Sequence, residues 1–195
     1  MRIGVSSMIL AATMAAILPM AQANPANEGP VADNSYAYSD RLPNKLPGDV
    51  GPEIYGLQLN LKDRGYAVEV SGHYSTELER DVKDFQHNKG IPDDGVVELR
   101  TWRALVGELD ASKTEGTWPP EETLEPEGTD AELLEALQDM LKRLSGEDIP
   151  LNHEAANVDR VKKFQVAVGL ADSGAVDKAT WDALKTAISV AGHWG

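Results

Sequence analysis

Apolar residues recur at helical spacing in six stretches of the chain. Ile54, Leu57 and Leu61 form a stripe behind Pro52, a residue suited to a first helical turn. Leu78, Val82 and Phe85 form a second stripe, and Trp102 with Leu105 a short third. The other three hold Leu133, Leu134, Leu137, Met140, Leu141 and Leu144; then Val158, Val161, Phe164 and Val168; then Trp181, Leu184 and Ile188. Each predicts a helix with one buried face. Thr76 with Glu79 and Thr129 with Glu132 have capping-box spacing, while Asn157 and Asp177 can cap the fifth and sixth helices. Gly65, Gly90 and Gly169 stand where helices stop. Between the first and second stripes, Tyr66, Val68 and Val70 alternate with Ala67 and Glu69, which predicts a short extended segment before Gly72.

The stretch from Val82 to Leu105 is repeated as Val161 to Leu184. Of its 24 positions, 12 hold the same residue in both places, among them Phe85 and Phe164, Gln86 and Gln165, Gly90 and Gly169, Gly95 and Gly174, and Trp102 and Trp181. Such agreement marks an internal duplication. Each copy reads as helix, glycine stop, tight turn at Gly95 or Gly174, and a second helix. Phe85 and Trp102 in one copy, and Phe164 and Trp181 in the other, are the expected core. Ile91 is expected to pack back towards it.

Composition sets the rest of the layout. Residues 1–23 carry Arg2, an apolar run from Met8 to Met20 and the small-residue pattern Ala21-Gln22-Ala23, the features of a cleaved export signal. Residues 24–51, rich in Pro, Asn, Gly and Ser, read as an irregular spacer in which Tyr36 and Tyr38 cover nearby apolar surface. A first unit at 52–107 and a second at 129–191 follow, joined by 108–128, where Pro119, Pro120 and Pro126 accompany seven acidic residues and a single Lys113. That composition predicts an extended, self-repelling linker whose Trp118 is expected to dock on one of the units, with a ligand as the alternative. Residues 192–195 read as a frayed tail. The chain has no cysteine, so each unit is held by packing alone. Units of roughly 55 residues bury only about 60% of their unfolded surface, which favours mutual support between the two. A net charge of −14 argues against nucleic acid and anionic membranes as partners.

The order Leu57-Gln58, Leu61, Gly65-Tyr66, Gly72, Tyr74, Val82, Phe85-Gln86, Gly90-Ile91, Asp94-Gly95, Thr101-Trp102 and Leu105 resembles the peptidoglycan-binding-like domain, a three-helix module appended to many bacterial cell-wall hydrolases. The second unit resembles it through Leu137-Gln138, Leu141, Val161, Phe164-Gln165, Gly169-Leu170, Gly174, Thr180-Trp181 and Leu184. The resemblance implies a mainly α fold of two tandem three-helix modules joined by the acidic Pro-rich linker. The second module departs in its first half, where Leu151, Asn152, His153 and Glu154 replace the glycine-aromatic-glycine turn, and Ser173-Gly174 replaces Asp-Gly. In the first, Ser75 and Leu78 stand where the family has Gly and Thr, and Glu98-Leu99 where it has Gly-Pro.

A wall glycosidase needs two carboxylates set across a cleft, and the acids of this sequence fall at caps, turns and in the linker. His73, His87, His153 and His193 lack metal-ligand spacing, and no nucleophile elbow, phosphate loop or dinucleotide fingerprint occurs. The reading is therefore an exported, non-catalytic protein without cofactor or metal, bound to peptidoglycan outside the cytoplasm and free of the membrane once its signal is cleaved. Two modules on one polymer would add avidity. Carbohydrate and peptide ligands call for an aromatic wall with convergent polar groups, which nominates Tyr74, Gln86, Asn88, Asp94 and Arg103 in the first unit and Gln165 in the second. For Gln86 and Gln165 a structural tie between loop and helix is the equal alternative. The rival function is an interaction module for another exported protein, such as a wall hydrolase, on the same scaffold with its glycan site lost.

Overall fold

The helices form where the apolar stripes lie. In the computed structural model, which describes residues 37–107, 120–147 and 155–193, they are α1 (Pro52–Asp63), α2 (Thr76–Lys89), α3 (Leu99–Val106), α4 (Ala131–Ser145), α5 (Ala155–Ala167) and α6 (Lys178–Ala191). A 3-10 turn, Tyr38–Arg41, precedes them. Extended pairing between described residues takes the form of single bridges, among them Lys45 with Val97, Val50 with His73 and Leu124 with Val176. The expected export signal, most of the expected linker with Trp118, the Leu151–Glu154 replacement and the last two residues lie outside the described residues.

Pro52 opens α1 as expected, and Gly90 ends α2 in the left-handed region at φ 67°. There the Ile91 N–H donates to the Gln86 carbonyl (3.1 Å) and the Gly90 N–H to that of His87 (3.0 Å), a Schellman stop. The same pair recurs after α5, from Leu170 to Gln165 (2.8 Å) and Gly169 to Val166 (3.2 Å). Ile91 itself is half-buried and lies outside the core. The N-caps fall one residue away from the capping-box expectation. Ser75, not Thr76, accepts from the Leu78 N–H (3.2 Å), and Asp130, not Thr129, from that of Leu133 (3.0 Å). Both have the extended backbone that a cap requires, whereas Thr76 is already inside its helix. Asn157 does not cap α5; it is buried within it, its side-chain oxygen accepting from Arg160 (3.1 Å).

Asp177 caps α6 as expected, accepting from the Thr180 N–H and hydroxyl at 2.8 Å each. The backbone N–H bond, followed by the hydroxyl, holds its carboxyl below the ordinary value of 3.8. A depressed carboxyl adds stability that is complete above the ordinary value and is lost as pH falls through the folded one. Asp177→Ala is expected to cost about 0.5–2 kcal/mol at neutral pH in urea melts, and its disadvantage to shrink below about pH 4. An equal deficit at pH 7 and pH 3 would refute the assignment.

Two apolar cores result. The first gathers Ile54, Leu57, Leu61, Leu78, Val82, Phe85, Trp102 and Leu105; the second gathers Leu137, Met140, Val161, Phe164, Trp181 and Leu184. All four predicted aromatic core residues are buried, Trp102 and Trp181 completely. The halves also exchange side chains. Val190 of α6 sits in the first core and Leu59 of α1 in the second, because α1 packs most extensively against α6. Gly107 stops α3 after Val106, but the corresponding position in α6 is Thr186, and that helix runs on to Ala191. Its extra turn carries Ala187, Ile188, Val190 and Ala191 against α1 and its surroundings. Gly56 makes the crossing close: a Cβ there would lie 2.5 Å from the Ala187 carbonyl oxygen. Asn60, 5% exposed, seals the seam by donating to the carbonyls of Val190 (2.9 Å) and Leu105 (3.3 Å). Both halves thus belong to one compact unit, Asn34–Gly195.

The described parts of the expected spacer and linker are folded into these halves. The buried indole N–H of Trp102 donates to the Pro43 carbonyl (2.9 Å), and that of Trp181 to the Glu122 carbonyl (2.9 Å). The lead-in segments that supply these acceptors are pinned by the Lys45–Val97 and Leu124–Val176 bridges, and Leu124 is 1% exposed. An indole removed from water needs an acceptor, and each lead-in provides one. Tyr38, in the first lead-in, has its hydroxyl pushed up by burial and hydrogen-bonds to Ser189 and Thr186 of α6. Part of the expected frayed tail is fixed as well. The His193 N–H donates to the Ile188 carbonyl (3.2 Å), and its Nε2 meets the Asp63 carboxylate at 2.6 Å.

Candidate functional site

The loop between α1 and α2 is extended, and its side chains alternate. Tyr66 and Val68 pack on the first core and Val70 on the second, leaving Ala67 and Glu69 outward. Gln58 of α1, 1% exposed, holds the end of the loop. Its Oε1 accepts from the N–H groups of Ser71 (2.9 Å) and Gly72 (2.7 Å), and its Nε2 donates to the His73 carbonyl (3.0 Å). The Val50–His73 bridge and the bond from the Tyr74 N–H to the Asp49 carbonyl (2.8 Å) fix the other side.

Between this loop and the first turns of α2 lies a cleft of about 460 Å³, whose polar wall is Glu69, Ser71, His73, Ser75, Glu77 and Asp81. No lysine or arginine lines it. Glu77 is held low by its backbone hydrogen bond and then by the Ser75 hydroxyl, whereas partial burial pushes Asp81 up against the opposing pull of Arg80. Carboxylates, hydroxyls and an imidazole facing one space can accept from N–H and O–H groups, the polar inventory of sugars and peptides. A second cavity, of about 270 Å³, is mainly apolar and opens beside Phe164 where Tyr55 meets it edge to face at 5.2 Å. Its cations are paired, Lys163 with Asp159 (2.7 Å) and Arg160 with Asn157 (3.1 Å). Among the described residues no group of acidic and histidine side chains is placed to hold a metal.

None of the six residues nominated from sequence lines the cleft. Tyr74, 1% exposed, is a core residue whose hydroxyl donates to the Gly95 carbonyl (2.6 Å), and desolvation raises its pKa far above the ordinary tyrosine range. Gln86 is wholly buried: Oε1 accepts from the Gly95 N–H (2.9 Å), and Nε2 donates to the Val96 carbonyl (2.8 Å) and the Thr101 hydroxyl (3.0 Å). Gln165 repeats this with Gly174 (2.9 Å), Ala175 (2.8 Å) and Thr180 (3.0 Å). These three therefore serve the fold, their amides and hydroxyl being used up inside it. Gln86→Leu is expected to cost about 1–3 kcal/mol for each buried group left unpaired. A denaturation midpoint equal to that of the unaltered protein would contradict this.

The other three are exposed but dispersed. Asn88 bonds Asp84 (2.9 Å), Asp94 accepts from the Val96 N–H (2.8 Å) in its own turn, and Arg103 pairs with Asp40 (3.1 Å). Each is held by a different partner, and none of these bonds joins one of the three to another. The cleft residues had a signal in the sequence that was missed. The alternation of Tyr66, Val68 and Val70 turns Glu69 to the opposite side, and Glu77 and Asp81 are like charges at i and i+4, a pairing that costs helix stability.

Among the described residues no helix is long and apolar enough to cross a membrane. Comparison with curated proteins and with solved structures gives no match. Residues 50–105, a segment that contains every residue of the cleft, match the family described as "Putative peptidoglycan binding domain".

Proposed function

We propose that this is an exported, non-catalytic protein that binds peptidoglycan at the bacterial cell wall through the cleft between the 66–75 loop and α2. The observation that carries the reading is the coincidence of the cleft with the family-matched segment. Peptide stems and glycan hydroxyls offer donors to Glu69, Glu77 and Asp81, and no lysine or arginine lines the cleft beside those carboxylates. The repeated glutamine, tryptophan and Schellman contacts support the second half as a diverged copy of the same module.

The test is co-sedimentation of residues 24–195 with purified sacculi in moderate salt. The unaltered chain is expected to pellet, and Glu69→Gln combined with Asp81→Asn to pellet markedly less while keeping its helical circular dichroism. Failure of the unaltered chain to pellet would discard the reading and favour a protein partner such as a wall enzyme. Labelled sacculi are expected to release no soluble fragments.

A further inference from the structure

The cleft loop belongs to the first half in sequence but is held on both sides. Val68 anchors it to the first core, whereas Val70, two residues on, packs into the second. Gly72 at φ 70° presses against the end of α5 so closely that a Cβ would lie 2.0 Å from the Ala167 carbonyl oxygen. Tyr55, three residues before Gln58, is braced edge to face on Phe164 at 5.2 Å. Gln58 in turn fixes Ser71 and Gly72. Glu69 and Ser71 of the cleft therefore flank a residue seated in the other half.

We propose that the second half acts as a buttress that sets the geometry of the cleft loop, with Val70 and Tyr55 as its positioning residues. This rests on the reading of the cleft as the peptidoglycan site. A binding surface built on an extended loop gains affinity when the loop is ordered before the ligand arrives, because the ordering entropy is then spent in folding. Here the ordering contacts come from α5 and the second core. The consequence is one cleft supported by two halves, which differs from two equivalent sites acting by avidity.

The experiment uses residues 24–195 carrying Val70→Ala, Val70→Ile or Tyr55→Leu, none of which alters the cleft wall. Sacculus binding is measured beside amide hydrogen exchange at Ser71 and Gly72, whose N–H groups report the Gln58 contact. Val70→Ala and Tyr55→Leu are expected to weaken sacculus binding by about two- to thirtyfold, the range of coupling carried through packed side chains. Exchange at Ser71 and Gly72 should quicken while the melting transition stays single, and Val70→Ile should restore both readouts. Unchanged affinity and exchange in both weakened variants would overturn the proposal, as would faster exchange with unchanged affinity. If the unaltered chain failed to pellet, the binding reading would fall, and exchange alone would decide whether the second half orders the loop.

Discussion

Trp102→Ala is expected to lower the melting temperature by roughly 6–20 °C, from a loss of about 3–5 kcal/mol at about 2–4 °C per kcal/mol. The indole is wholly buried in the first core, and its N–H is the partner of the Pro43 carbonyl at 2.9 Å. Truncation leaves a cavity and also releases the lead-in, which carries Tyr38 to α6 and Asp40 to Arg103. Natural stabilities of about 5–15 kcal/mol make such a loss a large fraction of the total. Trp102→Phe, which keeps most of the apolar volume but not the N–H, is expected to lose less. Differential scanning calorimetry of the two variants is the check, and a melting temperature within error of the unaltered protein for Trp102→Ala would place the side chain elsewhere.

Gly56→Leu is expected to break the seam between the halves. At an ordinary helical position, replacing glycine is stabilising by up to about 1 kcal/mol, because glycine is the poorer helix former. At position 56 the first added carbon would lie 2.5 Å from the Ala187 carbonyl oxygen and 2.7 Å from the Val190 Cβ, and neither can rotate away. Overpacking typically costs about 1–3 kcal/mol, and here it also threatens the Asn60 bonds to Val190 and Leu105. The clash outweighs the propensity gain, so α1 and α6 must move apart. Urea denaturation should then show two transitions, one for each core. A more stable protein with one transition would mean that the helix gain wins and that the α1–α6 crossing is looser than described.

The candidate site residues divide along the same line. From sequence, Tyr74, Gln86 and Gln165 suit carbohydrate ligands because they carry aromatic and amide groups, with a structural tie the equal alternative for the two glutamines. In the fold those polar atoms are consumed by loop backbones, since a buried donor or acceptor must find a partner and the nearest are the turns at Gly95 and Gly174. Glu69, Glu77 and Asp81 are separated in sequence, and only the packing of the loop beside α2 brings them to one cleft.

The sequence by itself determined six helices, the glycine stops at Gly90 and Gly169, the Asp177 cap, the repeated block and the burial of Phe85, Trp102, Phe164 and Trp181. Each follows from local rules: a helical period shows which face is apolar, and a stop or cap needs only its neighbours. Tertiary structure alone decided that α1 would pack on α6, that Leu59 and Val190 would trade cores, that Pro43 and Glu122 would satisfy the two indoles, and that Val70 would tie the cleft loop to the other half. Apolar attraction is non-directional, so a stripe specifies that it must be covered but not by what. Closest approach at Gly56 and Gly72, together with the demand of each buried N–H for an acceptor, selected the arrangement.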